Sequence, residues 1–179
     1  MFCYLKTKLV EHMNRILLLD IDGVLLPDSQ AVDEIPRQEQ KSEFLSEFIF
    51  DSSCCKRVNA LCQKRGYKVM LISTWRKVFS VHSELLKKVL VRSGIDSCHF
   101  LDNWLVPYRF ASGKIHELGF VLDTLNEKDL PFEILLLDDH RLEVEVWNTE
   151  QITFGQIVPN AEIGFSEHDY EKALTYWEQ

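Results

Sequence analysis

The sequence predicts an α/β domain, a parallel sheet with helices on both faces. Three observations carry that prediction. Short aliphatic runs at 16–19, 67–72 and 132–137 read as strands buried on both sides. Segments with apolar residues at three- and four-residue spacing lie between them, as in βαβ units. Each run ends abruptly in polar side chains, on the edge where open α/β sheets bind ligands. At 179 residues, 46% of them apolar, the chain suits one domain with a sizeable core, and two domains would be cramped.

The elements follow in order. The first strand, 16–19, runs into Asp20-Ile21-Asp22-Gly23. The stretch 26–50, with Pro27, Pro36 and a polar middle, reads as an excursion with a short helix around 43–50. Asp51, Ser52 and Ser53 offer N-cap oxygens to a helix carrying Val58, Leu61, Cys62 and Arg65, which Gly66 closes. The second strand, 67–72, ends in Ser73-Thr74-Trp75-Arg76. A helix with Val78, Val81, His82, Leu85, Leu86, Val89 and Leu90 on one face follows, and Gly94 stops it. Within 95–111 a short strand is expected at 99–101, and Pro107 interrupts the remainder. Ser112-Gly113-Lys114 opens a helix with Ile115, Leu118, Val121, Leu122 and Leu125 inward. The third buried strand, 132–137, ends in Asp138-Asp139. A strand at 151–157 and a helix capped by Ser166 and Asp169, with Tyr170, Leu174 and Trp177 buried, complete the chain.

Composition narrows the function. A net charge of −8 argues against a general polyanion binder. Yet ten of the twenty Lys and Arg residues fall between 56 and 92, against the single acid Glu84. That region is either a solvated face of two helices or a guide for a nucleic-acid end. The five cysteines (Cys3, Cys54, Cys55, Cys62, Cys98) form no CxxC pair and no zinc-type spacing. Reduced thiols in a cytoplasmic protein are expected, with Cys54, Cys55 and Cys62 buried on their helix. No run approaches the roughly 20 apolar residues of a membrane span, and no partner in a membrane is expected. Residues 1–14 read as an arm and 15–179 as the domain.

The chemistry lies at the strand ends. Right-handed crossovers put parallel strand ends on one edge, so Asp20 and Asp22, Ser73 and Thr74, and Asp138 and Asp139 can converge. Asp20 and Asp22 point the same way if the chain stays extended, and their repulsion calls for a cation. Several carboxylates around a hydroxyl make a hard-oxygen site suited to Mg²⁺. Lys114, in the first turn of a helix, adds a cation beside free backbone N–H groups, where anions bind. A magnesium ion, a carboxylate nucleophile, a hydroxyl and a lysine are the parts that phosphoryl transfer requires.

These residues, in this order, resemble the haloacid dehalogenase (HAD) superfamily of phosphohydrolases. Motif I matches Asp20-Ile21-Asp22-Gly23-Val24, motif II Ser73, motif III Lys114 and motif IV Asp138-Asp139. Ser73-Thr74-Trp75-Arg76, Asp138-Asp139-His140 and Ile163-Gly164-Phe165-Ser166 are further similar to the small HAD domains of bacterial RNA-repair proteins. The resemblance implies a three-layer Rossmann-like sheet with minimal or no cap, since neither 26–50 nor 95–111 is long enough for a cap domain. It implies that Asp20 is the nucleophile and forms an aspartyl-phosphate. Asp22 is then the acid and base; an Asp at that position marks phosphatases rather than dehalogenases. Mg²⁺ would be held by Asp20, the backbone carbonyl of Asp22 and Asp138, with Asp139 direct or one shell out. Ser73, with Thr74 as the alternative, and Lys114 would bind the phosphoryl oxygens.

Smaller candidates stay open in the sequence. Trp75 either stacks on the substrate or packs at the strand end; Arg76 is a phosphate clamp or a surface arginine; His140 contacts substrate or is a loop histidine. An open site suits a bulky substrate, a phosphorylated nucleic-acid terminus or protein, or else closure by a partner, although a capless enzyme can still take a phosphorylated small molecule. The expectation is a cytoplasmic Mg²⁺-dependent phosphatase. Its rival is a catalytically weak phosphate-binding domain within a repair or stress complex. A receiver-type signalling domain is disfavoured, because there the acidic pair precedes the lysine, whereas Asp138-Asp139 follows Lys114.

Overall fold

The computed structural model describes residues 14–32, 36–108, 113–126 and 130–178. Five parallel strands form one sheet: β1 (Asn14–Leu19), β2 (Lys68–Leu71), β3 (Phe100–Leu105), β4 (Phe132–Leu137) and β5 (Ile152–Ile157). Their order across the sheet is β3-β2-β1-β4-β5. The strand carrying Asp20 is therefore central, flanked by those that lead to Ser73 and Asp138. Asn14, read as part of the arm, opens β1, and the remainder of that arm lies outside the described residues.

Strand periodicity sorts the core into two clusters. Leu17, Leu19, Val69, Leu71, Leu135 and Leu137 face one side; Ile16, Leu18, Met70, Ile72, Ile134 and Leu136 face the other. The first side is covered by α1 (Lys41–Glu47), α2 (Ser52–Arg65), α4 (Ser83–Ser93) and α6 (Glu167–Thr175). The second is covered by α5 (Lys114–Asn126), through Leu118, Val121, Leu122 and Leu125. The architecture is the expected three-layer, Rossmann-like α/β sandwich.

Local signals hold where capping chemistry is present. Asp51 accepts from the Ser53 and Cys54 N–H groups at the start of α2, and Gly66 ends it at φ 74°. Ser166 and Asp169 close a reciprocal capping box on α6. Four expectations need correction. The excursion helix is α1, two to three residues earlier than read, because Phe48 turns extended to drop Phe50 into the core. The helix after β2 is broken into a single turn, α3 (Trp75–Val78), a 3₁₀ turn at Ser80–His82 and then α4, leaving Val81 exposed. The strand at 99–101 is the longer β3, a sheet edge whose burial breaks strict alternation, Asp102 being exposed between the buried Phe100 and Trp104, so the period is hidden. Ile115 is exposed rather than inward. Ser112 lies outside the described residues.

Candidate active site

Backbone pairing carries the three strand ends one step beyond the sheet. The Asp20 N–H donates to the Leu137 carbonyl (2.9 Å), that of Ile72 to Leu19 (2.9 Å), and that of Asp138 to Ile157 (3.3 Å). Asp20 and Asp138 thus leave neighbouring strands at one level. Both are buried, Asp138 completely. Lys114, at the start of α5, reaches between them: its Nζ is 2.5 Å from Asp20 Oδ2 and 2.6 Å from Asp138 Oδ2. Burial and the Asp20 charge push the Asp138 carboxyl above the usual range, with Lys114 opposing. Burial alone would lower the Lys114 ammonium, but the two carboxylates outweigh it and its pKa is raised.

Asp22 stands at the exposed rim. The Trp75 indole N–H donates to its Oδ1 (2.8 Å) and the Thr74 hydroxyl to its Oδ2 (3.3 Å). Burial of the carboxyl outweighs these two donors, and Asp20 and Asp139 add repulsion, so its pKa is raised. Between the two acids, Ile21 N–H fixes Asp20 Oδ1 at 2.8 Å. Gly23 then turns at φ 66°, and a Cβ there would sit 2.7 Å from the Cβ and Cγ of Asp139. Glycine is required at that step because the two acidic loops touch.

Trp75 packs its ring among Phe44, Phe48, Phe50 and Phe79, with centroids 5.0–6.3 Å away. The packed reading therefore describes it, with its N–H turned to the site. Arg76 fits neither sequence alternative. It is buried and forms an ion pair with the equally buried Glu117, and it donates to the Val106, Ile72 and Ser73 carbonyls. A guanidinium committed to those partners is a tie between β2 and α5, not a phosphate clamp on the open side. Ser73 is fully buried, its Oγ accepting from the Trp75 N–H (3.3 Å), whereas Thr74 is exposed against Asp22.

On the other flank, one ligand atom from each of Asp138, Asp139 and His140 lies within 4.8 Å of the other two. His140 Nδ1 is 2.9 Å from Asp139 Oδ1, and that carboxylate raises the imidazole pKa. Among the described residues the ligand atoms that stand together are those of Asp138, Asp139 and His140, and Asp20 adjoins this group through Lys114, which it shares with Asp138. The carboxylates are hard-oxygen donors. Such a set fits Mg²⁺.

Two functional supports escaped sequence reading. Gln156 on β5 donates to the His140 carbonyl (2.7 Å) and accepts from the Leu142 N–H (2.9 Å), pinning the loop that carries Asp139. Its signal was a lone amide at a buried position of β5. Glu117, one of two acids on α5, carried no signal. In the basic 56–92 region several side chains have partners already: Arg57 with Glu167, Arg65 with Glu178, Lys68 with the Cys98 carbonyl, Lys77 with Glu117, and Arg92 with carbonyls of α1 and Phe48.

No helix among the described residues is long and apolar enough to cross a membrane. No curated protein matches the chain, and no solved structure does. One family model matches, described as the HAD domain in Swiss Army Knife RNA repair proteins, over residues 16–170. That span begins inside the strand leading to Asp20 and takes in Asp22, Ser73, Lys114 and Asp138. The chain therefore belongs to the family of HAD domains found in Swiss Army Knife RNA repair proteins.

Proposed function

We propose that this domain is a Mg²⁺-dependent phosphatase that hydrolyses phosphate monoesters through an aspartyl-phosphate on Asp20, with a nucleotide or nucleic-acid end as substrate. The observation that carries the reading is Asp20 itself: a buried carboxylate at the end of the central strand, oriented by a backbone N–H and held with Asp138 by one lysine. The family's association with RNA repair supports a nucleic-acid substrate, and the free, buried cysteines suit a cytoplasmic setting.

The residues divide the work as follows. An Asp20 carboxylate oxygen attacks phosphorus, and the bond from phosphorus to the leaving alcohol breaks. Asp22, its pKa raised, gives a proton to the departing oxygen. Asp22 then takes a proton from water, the water oxygen attacks phosphorus, and the bond from phosphorus to Asp20 breaks to release inorganic phosphate. Lys114 neutralises charge beside the nucleophile, and a Ser73 or Thr74 hydroxyl takes a phosphoryl oxygen. Asp20, Asp138 and Asp139 would hold Mg²⁺, which when bound supplies Lewis-acid stabilisation of phosphoryl charge.

Phosphate release from p-nitrophenyl phosphate and from 5′- and 3′-phosphorylated oligonucleotides, with Mg²⁺ or with EDTA, tests the proposal. Turnover should need Mg²⁺ and vanish in folded Asp20→Asn. Hydrolysis by that variant at the wild-type rate refutes the nucleophile, and binding without turnover in the wild type favours a phosphate-binding domain instead.

A further inference from the structure

A cavity of about 270 Å³ opens beside Asp22, between the 26–50 excursion and α3. Its walls are Leu26, Val32, Phe44, Trp75, Val78 and Phe79, and its only polar lining side chains among the described residues, the indole apart, are Asp22 and Thr74. The Trp75 indole N–H is already spent on Asp22. Phe44 and Phe79 stack with ring planes 4° apart and centroids 5.9 Å apart, an aromatic pair in the cavity lining.

The wall is braced. Lys41 Nζ donates to the Val78 carbonyl (2.7 Å), tying α1 to the α3 turn. Arg92 on α4 donates to the Leu45, Ser46 and Phe48 carbonyls, which the end of α1 would otherwise leave without donors. Phe50 N–H donates to Ser93 Oγ (3.0 Å), anchoring the return of the excursion. α1 and the return at Phe48 and Phe50 thus form a braced side of the pocket.

The geometry points to a leaving-group subsite: the cavity beside Asp22 receives a single planar aromatic ring carried on the alcohol side of a phosphate monoester. This rests on the phosphatase reading, in which Asp22 protonates the leaving oxygen, so the departing alcohol must lie where that carboxyl opens. Apolar, aromatic walls stack a ring irrespective of its identity. An ester of a polyol without a ring has nothing to stack there and leaves its hydroxyls unpaired, which is costly in a desolvated site. Among the described residues no lysine or arginine lines the cavity, so a second phosphate finds no cationic partner among them. The volume sits just below the usual ligand-pocket range of roughly 300–1,000 Å³ and holds one ring system, not a polymer.

The test compares kcat/KM for phenyl phosphate, a nucleoside 5′-monophosphate and glycerol 3-phosphate in Mg²⁺. The first two separate a bare ring from a nucleobase. Aromatic esters should exceed glycerol phosphate by about tenfold to a hundredfold, the range that stacking one ring supplies. Ala31→Phe, on an exposed lining position, fills the cavity and should bring that ratio towards one. Val32→Trp reads the same ratio should Ala31→Phe misfold. Binding is read separately as tryptophan-fluorescence quenching of the Asp20→Asn protein by a phosphate-free nucleoside. Quenching that Ala31→Phe abolishes, with no phosphate released from any ester by the wild type, sinks the phosphatase reading and keeps the ring pocket. Equal kcat/KM for aromatic esters and glycerol phosphate, or a ratio that neither cavity-filling variant moves, overturns the subsite.

Discussion

Arg76 and Glu117 meet as an ion pair in which each side chain is 1% exposed. Arg76 lies three positions after Ser73, and Glu117 three positions after Lys114, so the pair couples the end of β2 to the start of α5. Its two arms are the segments expected to hold the phosphoryl group. Breaking a buried pair by removing one partner leaves an uncompensated charge and costs roughly 3–5 kcal/mol. Arg76→Met should lose about that much in urea unfolding, and any folded fraction should show a raised KM for phosphate esters. Arg76→Lys should recover only part, because an ammonium cannot reproduce the guanidinium's fork of contacts to Glu117 and three carbonyls.

Trp75→Phe separates packing from chemistry. The ring stays among its aromatic neighbours, while the donor to Asp22 Oδ1 is lost. The melting temperature should hardly move. Turnover should fall about tenfold, short of the 10²–10⁴ that positioned acid–base help supplies in full. Burial raises the Asp22 pKa and the indole N–H holds it down. Without that N–H the pKa rises further, the carboxyl keeps its proton to higher pH, and the alkaline limb of the kcat profile should shift upward.

Gly23→Ala tests the contact between the two acidic loops. An L-residue at φ 66° is strained, and its Cβ would press on the Asp139 side chain at 2.7 Å. Stability should fall by about 1 kcal/mol or more. Apparent Mg²⁺ affinity, read from the metal dependence of turnover, should weaken along with it. A stable variant with unaltered metal dependence would mean that Asp139 can move aside freely.

Asp51 gives a pH-dependent cap. Burial works to raise its carboxyl, but hydrogen bonds from Ser53, Cys54 and Gln30 outweigh it and hold the group well below the usual carboxylate range. A depressed folded pKa contributes stability above the unfolded value of about 3.9 and loses it as pH falls through the folded one. Asp51→Ala should therefore cost about 1 kcal/mol at pH 7. Denaturant melts should show the gap between variant and wild type narrowing progressively below about pH 4.

Much of the site was legible because strand-end chemistry is written locally. Asp20, Ser73 and Asp138 each follow directly on an aliphatic run, with Asp22 two positions after Asp20, and a parallel sheet brings such ends together wherever the intervening chain travels. Lys114 was legible by its place at a helix start. The α3 break was not: Val81 and His82 continue the helical period numerically, and only the packing of Trp75 and Phe79 against Phe44 shows the chain turning between Val78 and Ser83. Arg76 escaped for a related reason, since an arginine after a strand reads alike whether its partner is a phosphate in solvent or a glutamate 41 residues away in the core.

By itself the sequence determined the layered sheet, the strands that carry the acids and the edge on which they emerge, because alternation and helical period record burial residue by residue. The tertiary structure alone decided which polar groups meet: Lys114 between Asp20 and Asp138, Trp75 on Asp22, Gln156 under His140, Arg76 on Glu117. Those meetings depend on crossover geometry and on the need to satisfy buried donors across long separations, and no local pattern of residues encodes either.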